Sequence, residues 1–265
     1  MSILQVDNIS VSFGGVRALA DVSFAIPEGL IFSIIGPNGA GKTTLFNVLT
    51  GLTRPDAGQV RLAGQEVVKV PTHRLAGMGL SRTFQNLQIF PRMSALDNVR
   101  VGRHLKERVG VLRALFRPPG TAAAEQLSRR AALEHLDRVG LADIADKPAG
   151  DLAYGMMKRL EIARALASTP RLLLLDEPAA GCNPAETEEI HRLLITLKAE
   201  GITLVLVEHD MKLVMGVSER VLVLVEGAVL MEGEPAAVRH DQRVVQAYLG
   251  GARDAGPRQV EAVRC

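Results

Sequence analysis

The segment "GPNGAGKTT" runs from Gly36 to Thr44 and joins small, flexible residues to a cation and two hydroxyls. In Gly36-Pro37-Asn38-Gly39-Ala40-Gly41-Lys42-Thr43-Thr44, the glycines let the chain curl so that successive backbone N–H groups point inward at phosphate oxygens. Lys42 can then reach β- and γ-phosphates, and the Thr43 hydroxyl can serve Mg²⁺. The spacing matches G-x-x-x-x-G-K-[ST] and predicts a nucleoside triphosphate as ligand.

An acidic pair complements it. In "RLLLLDEP", Asp176 ends an apolar run, where it can hold the metal directly or through water. Glu177 follows and can orient and polarise an attacking water. Standing alone, the pair would equally suit the cap of a loop before Pro178; beside a phosphate loop the catalytic reading is favoured. "VEHD" closes another apolar run, and His209 there can either sense a γ-phosphate or play a structural part. Finally, "DLAYGMMKRLEIARAL" (151–166) sets Gly155 at the start of a helix that is basic at Lys158 and Arg159. This reads as another helix N-terminus open to an anion, far from the first.

These residues need elements to hold them. Residues 3–26 alternate with period two, with a turn at Gly14-Gly15, and predict half-buried antiparallel strands. Short apolar runs at 30–35, 171–176, 202–208 and 220–226 predict strands buried on both faces, as in a parallel sheet. Helical patterns lie between them. From about 90 to 160 strand signals vanish and helical ones dominate, which predicts an inserted helical lobe. The expected fold is therefore α/β: a phosphate-loop core with a mainly parallel sheet, an N-terminal antiparallel patch and the lobe. Residues 1–249 form one domain, with core 1–89 and 161–249 and lobe 90–160; 250–265 is expected to be a flexible tail.

Hydrophobic content of 47% supports a sizeable core, while 3% aromatic content and no Trp leave it to Leu, Val, Ile and Ala. A net charge of +2 gives no sign of a nucleic-acid binder. Cys182 and Cys265 suggest no disulfide framework. No apolar run is long enough to span a bilayer and the start lacks a secretory signal, so a membrane role is expected to come through partners. Eight Lys/Arg between Arg100 and Arg130 face only Glu107 and Glu125; this is either a solvated face or a surface for anionic headgroups or a partner.

Taken together, these segments resemble the ATP-binding cassette family of transport ATPases from about residue 3 to 249. The resemblance implies further roles. Phe13 would stack on adenine, and Gln85 in "SRTFQNLQIF" would contact metal and water. "LAYGM" (152–156) takes the place of the family signature, "AAGCNP" (179–184) that of the loop joining two nucleotide sites, and His209 that of the switch histidine. In that family two ATPase subunits pack head to tail, so Gly155 would serve the partner's ATP in trans. That implication accounts for a second anion site. The catalytic set is then Lys42, Gln85, Glu177 and His209, with Thr43, Gln85 and Asp176 at Mg²⁺.

A narrower resemblance, through "LAYG", "RLEIARAL", "LLLLDEPAAG", "NPAET", "EHDMKLVM" and "VVQAYLG", is to LivG-type ATPases of high-affinity branched-chain amino-acid importers. It implies two membrane permease subunits, a second homologous ATPase subunit (or self-pairing) and, indirectly, a substrate-binding protein, with the chain peripheral on the cytoplasmic face of the cell membrane. A short permease helix would dock near "NLQIFPRM", with Leu87, Ile89 and Phe90 as anchors. Met156-Met157 stands where two glutamines are usual and Cys182 where Leu is usual. Rivals are a urea-uptake or lipopolysaccharide-export ATPase, a soluble ATP-driven switch, and a scaffold that no longer hydrolyses. A single cassette without heptads disfavours the switch, and intact Lys42, Asp176, Glu177 and His209 disfavour the scaffold.

Overall fold

The computed structural model describes residues 2–104 and 121–250. Strands β1 (Ser2–Phe13) and β2 (Val16–Pro27) pair antiparallel across Gly14 and Gly15, whose φ values of +54° and +87° fit a tight two-residue hairpin turn. With β4 (Ala57–Leu62) and β5 (Gln65–Glu66) they form a sheet of order β2-β1-β4-β5.

A second sheet has the order β10-β9-β3-β8-β7-β6. It contains β3 (Ile31–Ile35), β6 (Leu80–Arg82), β7 (Leu172–Asp176), β8 (Thr203–Val207), β9 (Arg220–Val225) and β10 (Ala228–Gly233). All neighbours are parallel except the β9–β10 hairpin. The four apolar runs read from sequence are β3, β7, β8 and β9. The runs β4, β5, β6 and β10 carry no such signal, because they are short or half-exposed and mixed in polarity.

The parallel strands are apolar throughout because side chains alternate between two cores. Leu172, Leu174, Val205 and Val207 pack with Phe32 and α1 (Lys42–Leu49) towards the antiparallel sheet. Phe24 and Phe32 stack at 5.7 Å across that junction. Leu173, Leu175, Leu204 and Leu206 face the opposite core, built by the helices.

Helix α2 (Thr72–Gly77) precedes β6. The helical segment then comprises α3 (Ala95–Gly102), α4 (Thr121–Arg138) and α5 (Tyr154–Leu166). A Cβ at Gly102 would lie 2.1 Å from Arg164 O, so the missing side chain lets α3 approach α5 closely. Helix α5 runs unbroken through residue 160, and its Ala163 and Leu166 share a core with Leu173 and Leu175. Helices α6 (Pro184–Ala199), α7 (Met211–Val217), α8 (Pro235–His240) and α9 (Gln242–Gly250) complete the described chain. Most of the basic stretch, and nearly all of the tail, lie outside the described residues. No described helix is long and apolar enough to cross a membrane.

Candidate functional site

The loop 36–44 emerges where β3 ends and leads into α1. Gly36 (φ +154°) passes so near β9 that a Cβ would lie 2.1 Å from Leu224 O, and Gly41 (φ +96°) leaves room of only 2.6 Å to Ala18 O. Both need glycine on conformation and space. Helix α1 has no side-chain cap and no acidic residue in its first turn, so its N-terminal N–H groups remain available to an anion. Lys42 Nζ donates to Gly36 O at 2.6 Å and Pro37 O at 3.0 Å, folding back over its own loop. Burial lowers its pKa; the nearby Glu177 and Asp176 carboxylates oppose that. Thr43 is exposed and Thr44 half-buried.

Asp176 closes β7 with its side chain 4% exposed, and its Oδ2 pairs with Arg82 at 2.7 Å. Glu177 takes a left-handed φ of +49° while its N–H donates to Val207 O at 2.9 Å. A non-glycine residue held in that region by a neighbouring strand is a local strain of the kind found at functional sites. Gln85 Nε2 donates to Glu177 Oε2 at 3.2 Å, and His209 Nδ1 lies 3.8 Å from Glu177 Oε1. Three residues from distant parts of the chain thus meet at one carboxylate.

Of the two basic residues at the start of α5, Lys158 is buried and Arg159 partly so. Lys158 is 2% exposed, and its Nζ donates to Glu177 O at 3.2 Å and Gln85 O at 3.5 Å. Arg159 donates to Val139 O at 2.9 Å and pairs with Glu189 at 3.2 Å. Lys158 is buried because Gly155, Lys158 and Ile162 fall on one helix stripe, and that stripe faces inward. Sequence reasoning also passed over Glu161. Its Oε1 accepts from the Phe84 and Gln88 N–H groups, each at 3.4 Å, bracketing Gln85. Burial raises the Glu161 pKa despite those bonds.

Gly155 lies in the first turn of α5, and its N–H donates to Glu186 Oε1 at 3.2 Å. Met156, Met157 and Cys182 pack against the helical core, which gives these departures from the family pattern a structural use. Phe13 is 53% exposed at the end of β1, free for a flat ligand. Of the anchors named for a docking groove, Phe90 lines an open groove with Phe84, Val101 and Arg164. Ile89 instead packs against the helical core.

The sequence profile of the ABC transporter family matches residues 19–180, and a profile described as branched-chain amino acid ATP-binding cassette transporter matches 228–254. The chain is 43% identical to the high-affinity branched-chain amino acid transport ATP-binding protein BraF of Pseudomonas aeruginosa, covering 94% of this chain and 98% of that one. To the corresponding protein LivG of Escherichia coli strain K12 it is 41% identical with the same coverage. A lipopolysaccharide export ATP-binding protein of Acidithiobacillus ferridurans is 37% identical over 94% of this chain and 97% of its own. Among solved structures, an ATP-binding cassette of an ABC transporter in its ADP conformation superposes with a TM-score of 0.83 at 34% identity. It covers 94% of this chain and 99% of that one. A nucleotide-free cassette gives 0.81 at 33%, covering 93% and 98%.

Proposed function

The chain belongs to the ABC transporter family of ATP-binding proteins, and from that premise we propose that it hydrolyses ATP to drive a membrane importer of branched-chain amino acids. The observation that carries the catalytic part is the contact of Gln85 and His209 with the Glu177 carboxylate, beside Lys42. The choice of substrate rests on the likeness of nearly the whole chain to two branched-chain amino acid transport ATP-binding proteins, and of 228–254 to the matching profile.

In this reading Phe13 stacks on adenine, and the loop 36–44 with the N-terminus of α1 cradles the phosphates. Lys42 exchanges its two loop carbonyls for β- and γ-phosphate oxygens. Glu177 takes the proton of the attacking water while Gln85 and His209 orient that carboxylate and the water. The donors Thr43, Gln85 and Asp176 are oxygen ligands that suit a hard divalent cation, so they fit Mg²⁺. When bound, Mg²⁺ supplies charge neutralisation of the β- and γ-phosphates. Gly155 meets a second cassette's nucleotide across a head-to-tail dimer, either with a homologous subunit or with a second copy. Phe84 and Phe90 offer the groove to one of two permeases, and the chain works as a peripheral subunit on the cytoplasmic membrane face; a substrate-binding protein acts on it only through the permeases. No nucleic acid takes part.

Deletion of the gene followed by uptake of labelled leucine, isoleucine and valine tests this reading. Loss of uptake restored by the wild-type chain but not by Glu177→Gln is expected; unchanged uptake of all three would refute the substrate class.

A further inference from the structure

Arg82, the last residue of edge strand β6, sits in the segment "SRTFQNLQIF" without a role in any reading above, yet its guanidinium stands at the back of the site. NH2 pairs with Asp176 Oδ2 at 2.7 Å, the two side chains being only 7% and 4% exposed. NH1 donates to Asn47 Oδ1 at 2.7 Å and Thr50 Oγ1 at 3.1 Å, at the end of the helix that Lys42 opens. The rings of Phe46 and Phe84 lie 5.4 and 5.2 Å from its Cζ. One cation therefore touches the phosphate-binding helix, the strand end bearing Asp176 and the segment leading to Gln85.

A carboxylate buried this deeply is costly unless it is paired, and a triphosphate brings further negative charge to the same place. Lys42 already lies within electrostatic reach of both Asp176 and Glu177. We propose that Arg82 is a positioning residue that holds Oδ2 of Asp176 and balances its charge. That leaves one carboxylate oxygen to the metal and frees Lys42 for the phosphates. The proposal rests on the reading of Asp176 as a Mg²⁺ residue. It also assigns Arg82 a task before the metal arrives: ATP without Mg²⁺ can share the pocket with Asp176 only because Arg82 is present.

A double-mutant cycle read by binding of a fluorescent ATP analogue, with and without Mg²⁺, tests this on the full chain. Arg82→Met keeps the packing against both rings and removes the charge. It should weaken metal-free nucleotide binding at least about tenfold, because an unpaired carboxylate then repels the phosphates and competes for Lys42. Binding with Mg²⁺ should change much less, and Arg82→Lys, which keeps the charge, should lose little in either condition. Adding Asp176→Asn to Arg82→Met should restore metal-free affinity to within about threefold of wild type, since coupled charges do not act additively.

Equal losses with and without Mg²⁺, unrelieved by Asp176→Asn, would reduce Arg82 to a structural part and overturn the proposal, as would no loss at all. If Arg82→Met alone fails to fold, the double variant, with no buried charge left unpaired, is compared with wild type, because Asp176→Asn alone leaves Arg82 a surplus buried cation that attracts phosphate. Metal-free affinities within about threefold support the proposal, and a tenfold deficit in the double variant overturns it. Asp176→Asn alone reports separately on the metal assignment: if it hydrolyses MgATP like wild type, that assignment fails whatever Arg82 does.

Discussion

Gly155 and Glu186 hold one another within a single chain: the glycine N–H donates to Oε1 at 3.2 Å while Oε2 accepts from Asn183 N at 2.9 Å. The same carboxylate completes the capping box of α6. The N-terminus of the signature helix is thus already seated on an anion of its own chain, in the position where a partner's phosphate is proposed to dock. Docking then requires Glu186 to yield.

A side chain at 155 is consequently felt by the isolated chain. A Cβ there would lie 2.5 Å from Glu186 Cδ, and an aspartate would add like charge. Gly155→Asp should lower unfolding free energy by about 1–3 kcal/mol, through overpacking and a weakened cap. Binding of ATP to the isolated chain should stay close to wild type, because the loop 36–44 is untouched. Urea unfolding and nucleotide titration of the same preparation check both.

Glu177→Gln keeps the shape of the side chain while removing its basicity. Steady-state hydrolysis in the assembled transporter should fall by on the order of 10²-fold or more, with ATP binding retained. Wild-type turnover would remove Glu177 from the chemistry.

Phe13→Ala should weaken ATP and GTP alike, by about 1 kcal/mol or slightly more, since stacking reads the face of a base and not its edge. The ring is half-exposed, so the thermal midpoint should barely move. Isothermal titration with both nucleotides decides it.

Phe90 and Ile89 should separate docking from folding. Phe90→Asp alters the groove and should release the permeases from a copurified complex while leaving the isolated chain stable. Ile89→Asp places a charge against the helical core and should cost several kcal/mol of stability. Intact copurification with Phe90→Asp would exclude the groove as the docking surface.

Glu208 is 1% exposed and accepts from the N–H groups of Ala179 and His209, each at 3.1 Å, and of Asp210 at 3.4 Å. Burial nonetheless raises its pKa above the ordinary 4.5. The folded chain therefore binds this proton more tightly than the unfolded chain does. Stability should fall as pH rises from about 4.5 through the raised value, relative to Glu208→Gln, which cannot titrate there. Denaturant melts of both proteins between acidic and neutral pH would reveal the difference; parallel pH curves would contradict it.

The strands β3, β7, β8 and β9 were legible because burial on both faces forces a continuous apolar run, and the loop 36–44 because its glycines answer local demands of conformation. Such demands are written in neighbouring residues, so sequence alone determined the α/β class, the glycine-rich loop 36–44 and the acidic pair at the end of β7. The space that Gly36 and Gly41 must leave is set by Leu224 O and Ala18 O, which only the fold brings near. The partnerships of polar side chains are set by another principle: a buried charge is matched to whichever group the fold brings near. Nothing beside Arg82 in the chain announces Asp176, which is 94 residues away, nor Lys158 the carbonyls of Gln85 and Glu177. Edge strand β6, too short to carry a pattern of its own, is held by pairing to β7. Only the tertiary structure decided that this edge delivers a cation to the Asp176 carboxylate, because the parallel register that aligns Arg82 with Leu174 exists only once the sheet has formed.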